Sequence, residues 1–292
     1  MFEPAAADTL ATRPASGERI RAGAPFAAAA TMLDQLASAR GQIDIWVSRV
    51  ADVPQWVLAA QYDGVLSEDE RRQHDKFVFE KDRRRYLVTR ALVRYALSRH
   101  MPIAPLQWHF DRTDFGKPVI GNRHAAVAGL EFNISHSTNV VVLAVTRGRR
   151  LGVDVEDLRA DVPLEIATGC FAGQEITQLH ALPAALQPAR FLDFWTLKES
   201  YIKARGKGLS LPLHAFGFEL SGERDLAIQI DPALDDAPSN WRFWQWRPSP
   251  DSVGALCVEN QAGAPSAITV RRTIAFVQEE IIPFDILRMS PR

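Results

Sequence analysis

Leu151-Gly152-Val153-Asp154-Val155-Glu156 lies near the middle of the 292-residue chain and alternates apolar with acidic side chains. A period of two is that of a strand, where successive side chains leave on opposite faces. Val153 and Val155 then share one face, and Asp154 and Glu156 the other. Two carboxylates so close repel unless a cation lies between them. Oxygen ligands alone favour Mg²⁺, which keeps waters and takes one or two carboxylates together with a substrate phosphate. Taken alone, such a segment also reads as a solvated strand edge, so its surroundings decide.

About forty residues on stands Phe194-Trp195-Thr196-Leu197-Lys198-Glu199-Ser200-Tyr201-Ile202-Lys203-Ala204-Arg205-Gly206-Lys207-Gly208, which has a helical pattern. Glu199 and Lys203, at i and i+4, share a helix face, and Trp195 sits one turn earlier on the same stripe. Lys198 is one residue off that stripe, with a stem long enough to reach phosphate. By itself this is an exposed helix with an ordinary Glu–Lys pair. Its end, however, gathers basic residues around Gly206 and Gly208, where backbone and cations can both approach a phosphate.

Upstream, Asn133-Ile134-Ser135-His136-Ser137 offers a hydroxyl, an imidazole and a tight turn to one phosphate, or else forms a capped turn with a surface histidine. A Ser–His nucleophile pair is disfavoured, because adjacent strand residues point apart and no Gly-x-Ser-x-Gly elbow is present. Asp82-Arg83-Arg84-Arg85, with Arg90 and Arg94, is a basic helix face, either solvated or lining a phosphate-binding crevice. Gly116-Lys117-Pro118 is a turn. No Walker loop, Rossmann fingerprint, zinc spacing or EF-hand loop occurs.

Ordered structure is expected from the strand Ile43 to Val47. Ser67 and Glu70 form a capping box at a helix start, and a second helix runs from Lys81 to Ser98. Strands follow at Phe132 to Ile134 and Val140 to Val145. In the second half, a helix over Arg190 to Ala204 precedes strands at Phe216 to Leu220, Trp241 to Trp246 and Val253 to Val258. The two long helices align with Tyr86-Leu87 over Phe191-Leu192, Leu92 over Leu197 and Leu97 over Ile202. This order is that of an α+β fold and is open to either reading, an internal duplication or coinciding helix periods; with a duplication, the natural site is the crevice between the halves.

The expected divisions are a flexible Ala/Arg/Gly-rich extension over 1–40 with a short helix at Thr31 to Arg40, an N-terminal half over 41–149, a C-terminal half over 150–275 carrying the metal and catalytic residues, and a tail over 276–292. The net charge of -1 supplies no global basic field, so nucleic acid and anionic membrane are not expected partners. Apolar runs fall short of the roughly 20 residues of a membrane span. Glu3 and Asp8 argue against a signal peptide. Cys170 and Cys257 are expected as buried thiols of a reducing, cytoplasmic compartment.

In order, the blocks Asp82 to Leu87, Gly116-Lys117-Pro118, Phe132 to Ser137, Gly152 to Glu156 and Trp195 to Lys203 resemble the 4′-phosphopantetheinyl transferase superfamily, in its large, surfactin-synthetase-type branch. The continuation Gly206-Lys207-Gly208-Leu209-Ser210-Leu211-Pro212-Leu213 also looks like this branch, and the similarity spans about Ile43 to Val258. The resemblance implies an α+β fold, a pseudo-twofold duplication of two similar α+β halves with the active site in the cleft between them, in a monomeric enzyme that moves the 4′-phosphopantetheine arm of coenzyme A onto a serine of an apo acyl or peptidyl carrier protein, releasing adenosine 3′,5′-bisphosphate. It implies Mg²⁺, or Mn²⁺, held by Asp154, Glu156 and Glu199, with Glu199 and Lys203 as catalytic residues. Coenzyme A would meet Arg85, Lys117, Pro118, Ser135, His136, Asp154, Lys198 and Lys203. Glu175 and Arg90 are weaker candidates. Glu70 and Gln73 depart from the branch, since lysines that bind the 3′-phosphate can stand there, and Tyr86 replaces a smaller hydroxyl residue. Two alternatives use the same residues: a metal-dependent hydrolase or transferase acting on another pyrophosphate, and an inactive carrier-binding module.

Overall fold

The computed structural model describes residues 41–127, 129–159, 161–261 and 267–291. The extension 1–40, with the helix expected at its end, lies outside the described residues. Four helices of seven residues or more are described. They are α1 (Glu68–His74), α2 (Glu80–His100), α3 (Gly173–His180) and α4 (Gln187–Arg205). The α1 start is the expected capping box: Glu70 N–H donates to Ser67 Oγ at 3.3 Å and Ser67 N–H to the Glu70 carboxylate at 2.9 Å. Pro188 occupies the first turn of α4, where no N–H partner is lost, and Gly206 ends it in the left-handed conformation at φ 67°.

The first half contributes β1 (Gln42–Arg49), the hairpin β2 (Phe110–Arg112) and β3 (Pro118–Ile120), β4 (Leu130–His136) and β5 (Val140–Arg147). The second contributes β6 (Leu151–Asp157), β7 (Phe216–Ser221), β8 (Asp225–Ile230), β9 (Trp241–Trp246) and β10 (Ser252–Glu259). Neighbouring strands run β1-β5-β4 in one sheet and β6-β10-β9 in the other, all antiparallel. Each half thus repeats the order strand, long helix, antiparallel pair, and the architecture is α+β.

Strand alternation sorts the core into layers. Val141, Leu143 and Val145 of β5 pack with Leu92, Val93 and Leu97 of α2. Their neighbours Val140, Val142 and Ala144 pack with Ile43, Ile45 and Val47 of β1, with Leu151, Val153 and Val155 of β6, and with Trp244, Trp246 and Leu256. The two sheets therefore bury an apolar layer between them, and each carries its long helix on the outer face. The valines of the acidic motif lie in the inter-sheet layer, which turns Asp154 toward α4 (its Cα neighbours on β6, Val153 and Val155, point the other way).

The expected boundaries need correction. After β10 the chain forms β11 (Ala267–Ile274), which joins the first half, parallel to β1. The stretch read as a tail holds β12 (Gln278–Ile282), antiparallel to β11, and β13 (Ile286–Met289), which inserts between β9 and β8. Residues 267–291 thus stitch both sheets together. Their pattern gave no sign of this, because their partners lie far away in sequence, as in Gln42 opposite Ala267. Both cysteines are free thiols, Cys257 buried and Cys170 half-buried.

Candidate active site

Asp154 is buried where β6, the end of β4 and α4 meet. Its Oδ1 accepts from Lys203 Nζ at 2.6 Å and from Ser135 Oγ at 2.8 Å, and Lys203 Nζ also donates to Ser135 Oγ at 3.0 Å. Its Oδ2 is buried with no hydrogen-bond partner. A buried, unpaired carboxylate oxygen is costly, and it marks a place for a positive or proton-donating ligand.

The close approach of α4 to β6 has a sequence cause in Gly152. A Cβ there would stand 2.0 Å from the Ser200 carbonyl oxygen and 2.4 Å from the Ala204 nitrogen. The bare glycine lets the helix lie directly on the strand. Glu199 and Lys203, one turn apart on α4, then stand over Asp154. Burial first and the Asp154 charge second raise the Glu199 carboxyl above the ordinary carboxylate range, while Lys203 opposes them. Burial and the same Asp154 charge push the Glu156 carboxyl up to about 7.

These carboxyls fit a divalent cation in part. Lys203 neutralises one oxygen of Asp154, while Oδ2 has no hydrogen-bond partner and the Arg159 and Lys203 charges only partly offset the burial and repulsion felt by Glu156. Among the described residues, no three His, Cys, Asp or Glu side chains converge closely enough to cage a metal. The donor set therefore suits a hard ion whose shell is completed by substrate phosphate and water.

A pH dependence follows for the protein without divalent cation. The folded Glu156 carboxyl binds its proton more tightly than the unfolded one, so its contribution to stability is greatest below about 4.5 and is lost as pH rises to about 7. Glu156→Gln is expected to raise the melting temperature at pH 8, with the gain shrinking toward pH 4.5. Equal gains at both ends, read by thermal melts in chelator, would mean that the carboxyl is not strained.

The Asn133 to Ser137 block divides by strand parity. Asn133 Oδ1 accepts from Val153 N–H at 2.8 Å, Ser135 donates to Asp154, and Ser137 Oγ donates to Asp157 at 2.6 Å. These side chains therefore fasten β4 to β6, and the Ser135 hydroxyl is directed to the acidic centre. His136 leaves on the opposite face, at the rim. Surrounding protein and then the Arg85 charge hold its imidazole below its ordinary pKa. Arg85 itself pairs with Asp82 at 2.8 Å.

Three further expectations meet a different geometry. Lys198, 1% exposed, pairs at 2.8 Å with Glu175, 0% exposed, and donates to the carbonyls of Leu213 and Phe216. Glu175 also accepts from Ala172 and Phe218 N–H. Adjacent helix residues differ by about 100° in direction, so Lys198 points into the core while Glu199 faces the cleft. This pair anchors α3 and β7 to α4, and both side chains are buried away from the cleft. Lys117 Nζ donates to the Lys203 and Leu151 carbonyls, while its side chain also lines the cleft. Pro118 lines the cleft wall with Asn133, Ile134, Glu199 and Lys203, around a cavity of about 250 Å³.

Arg90 lines a separate cavity of about 690 Å³, with Glu70, Gln73, Tyr86, Arg94 and Arg112, which also reaches Pro118. There Glu70 pairs with both Arg90 and Arg94. The departures noted at Glu70 and Tyr86 thus belong to one cavity wall. The roles of Asn133 and Asp157 escaped sequence reading, although the alternation Asn133, Ser135, Ser137 was the signal available.

Residues 150–260 match the 4′-phosphopantetheinyl transferase superfamily, and residues 51–148 match the N-terminal region of 4′-phosphopantetheinyl transferases. The 4′-phosphopantetheinyl transferase HetI of Nostoc sp. is 34% identical over 194 residues, covering 66% of this chain and 78% of that protein. Sfp of Bacillus subtilis is 33% identical over 165 residues, 56% of this chain and 71% of that protein. A phosphopantetheinyl transferase of Thraustochytrium sp. is 30% identical over 207 residues, 66% of this chain and 71% of that protein. The chain belongs to the 4′-phosphopantetheinyl transferase superfamily, in the branch that includes Sfp.

Proposed function

We propose that this enzyme transfers the 4′-phosphopantetheine arm of coenzyme A to a serine of an apo acyl or peptidyl carrier protein, with Mg²⁺ or Mn²⁺ bound at Asp154, Glu156 and Glu199. The observation that carries the site assignment is the meeting of Lys203, Asp154 and Ser135 beneath Glu199, with Asp154 Oδ2 left unpaired. The cation, when bound, neutralises and orients the pyrophosphate. Glu199, its basicity raised by burial, takes the proton of the carrier serine, directly or through a water. The serine oxygen bonds to the phosphorus that bears the pantetheine, and the bond to the bridging oxygen breaks. Lys203 stabilises charge on that leaving oxygen, and adenosine 3′,5′-bisphosphate departs.

In this reading the two halves arose by duplication, which the shared strand order β1-β5-β4 and β6-β10-β9 supports. His136 and Arg85 line the rim toward the 3′-phosphate, and the arginine-bearing cavity beyond Pro118 takes the nucleotide end. Ser135 acts on Asp154 rather than on phosphate. The enzyme works as a cytoplasmic monomer; no described helix is long and apolar enough to cross a membrane. The test is to incubate the protein with coenzyme A, Mg²⁺ and a set of apo carrier proteins and weigh the carriers. A gain of one phosphopantetheine is expected. Carriers of unchanged mass throughout the set, with release of free phosphopantetheine instead, would favour a pyrophosphate hydrolase.

A further inference from the structure

The β2–β3 hairpin belongs to the first half, yet the side chain at its turn serves the second. Lys117 Nζ donates to the Lys203 carbonyl at 2.8 Å and to the Leu151 carbonyl at 3.2 Å. Lys203 lies in the last turn of α4, where carbonyl oxygens run out of helical N–H partners. The Gly206 N–H closes on Ile202, which leaves the Lys203 carbonyl to another donor. A cation at this end also opposes the negative pole of the helix. Leu151 opens β6, three residues before Asp154. One ammonium therefore joins the hairpin, the helix end and the acidic strand.

The surrounding turns are built for this approach. Gly116 turns the hairpin at φ 80°. Gly208, at φ 53°, would bring a Cβ within 3.3 Å of Phe115, and Gly206 lies against the Lys117 stem. Burial lowers the Lys117 pKa, with Glu131 the first of the opposing charges. Two of the three ammonium N–H donors are taken by these carbonyls, so the amine is held by protein at one end of the cleft.

We infer that Lys117 is a positioning residue: it seats the last turn of α4 on β6, and so fixes Lys203 relative to Asp154, instead of binding coenzyme A through its ammonium. Side-chain contact between Lys203 and Asp154 depends on where the α4 backbone lies, and the Lys117 bond grips that backbone at the same residue. The kinetic part of this inference rests on the transferase reading; the structural part does not.

The test compares wild type with Lys117→Met and Lys117→Arg. In the Met variant, kcat for carrier loading is expected to fall on the order of tenfold to a hundredfold, the range that a small displacement of reacting groups produces. The KM and the calorimetric Kd for coenzyme A stay within about twofold, because no ligand contact is removed. Amide hydrogen exchange over Ser200 to Gly206 rises in the Met variant and returns toward wild type in the Arg variant, which keeps a cationic donor. If the Met variant fails to fold, Lys117→Gln, which keeps a shorter, uncharged amide donor, serves in its place. The inference is overturned if exchange over that turn is unchanged, or if coenzyme A affinity drops by tenfold or more with kcat preserved, which would make Lys117 a ligand contact. Should wild type load no carrier at all, the transferase reading fails, while the exchange comparison still decides the seating role.

Discussion

Glu199→Gln is expected to lower carrier loading by about 10² to 10⁴, the usual contribution of a positioned general base, while coenzyme A still binds. The amide keeps the size of the side chain, so α4 has no reason to move. Two things are lost. Gln accepts no proton from the serine hydroxyl, and the negative charge that faces Asp154 and would help hold the cation disappears. Lys203 keeps its bonds to Asp154 and Ser135, so the phosphate side of the site stays charged and formed. Single-turnover loading measured by mass, set beside calorimetry with coenzyme A, separates the effects. Near-normal turnover in the variant would remove Glu199 from the reaction.

Among the described glycines, Gly152 is the one where an added methyl, as in Gly152→Ala, should do most damage. Its Cβ would lie 2.0 Å from the Ser200 oxygen and 2.4 Å from the Ala204 nitrogen, both backbone atoms, and 2.9 Å from Lys203 Cβ. No rotamer relieves such a contact, so the helix itself must lift from the strand. Overpacking in a well-filled core costs about 1–3 kcal/mol, and a backbone-to-backbone collision belongs at or beyond the upper end. The sign is secure, because Gly→Ala by itself acts on the unfolded chain in the stabilising direction, by only about 0.4–1 kcal/mol. Glu199 and Lys203 ride on the displaced helix, so turnover per folded molecule should fall as well, on the order of a hundredfold for a displacement near 1 Å. Thermal melts and loading rates check both effects. A variant with wild-type melting temperature would show that helix and strand do not touch as described.

The elements that carry the site were legible in the chain. The alternation in 151–156 put two valines on one face and Asp154 with Glu156 on the other, and the valines do lie in the inter-sheet layer. The i, i+4 spacing of Glu199 and Lys203 put them on one stripe. The capping box at Ser67 is formed as written. These are local periodicities, set by backbone geometry within a few residues. Lys198 shows the boundary of such reasoning. Its distance from the Glu199 stripe was known, but its long stem left its destination open until Glu175 and the Phe216 carbonyl were seen to hold it.

The sequence by itself determined the class of fold, the ordered motif blocks and which acidic side chains share a face, because each depends on side-chain chemistry and short-range period. Only the tertiary structure decided what those residues touch. It gave Ser135 to Asp154, set the Lys117 ammonium on the Lys203 carbonyl, paired Glu70 with two arginines, and drew residues 267–291 into both sheets. The reason is physical: a hydrogen bond or ion pair has no preferred sequence separation, and its partner is set by which elements the packed core brings within about 3 Å. The acidic motif that opens the case is thus a metal-binding candidate from its own pattern. Its unpaired oxygen, its bound lysine and the helix pressed upon it come from the fold.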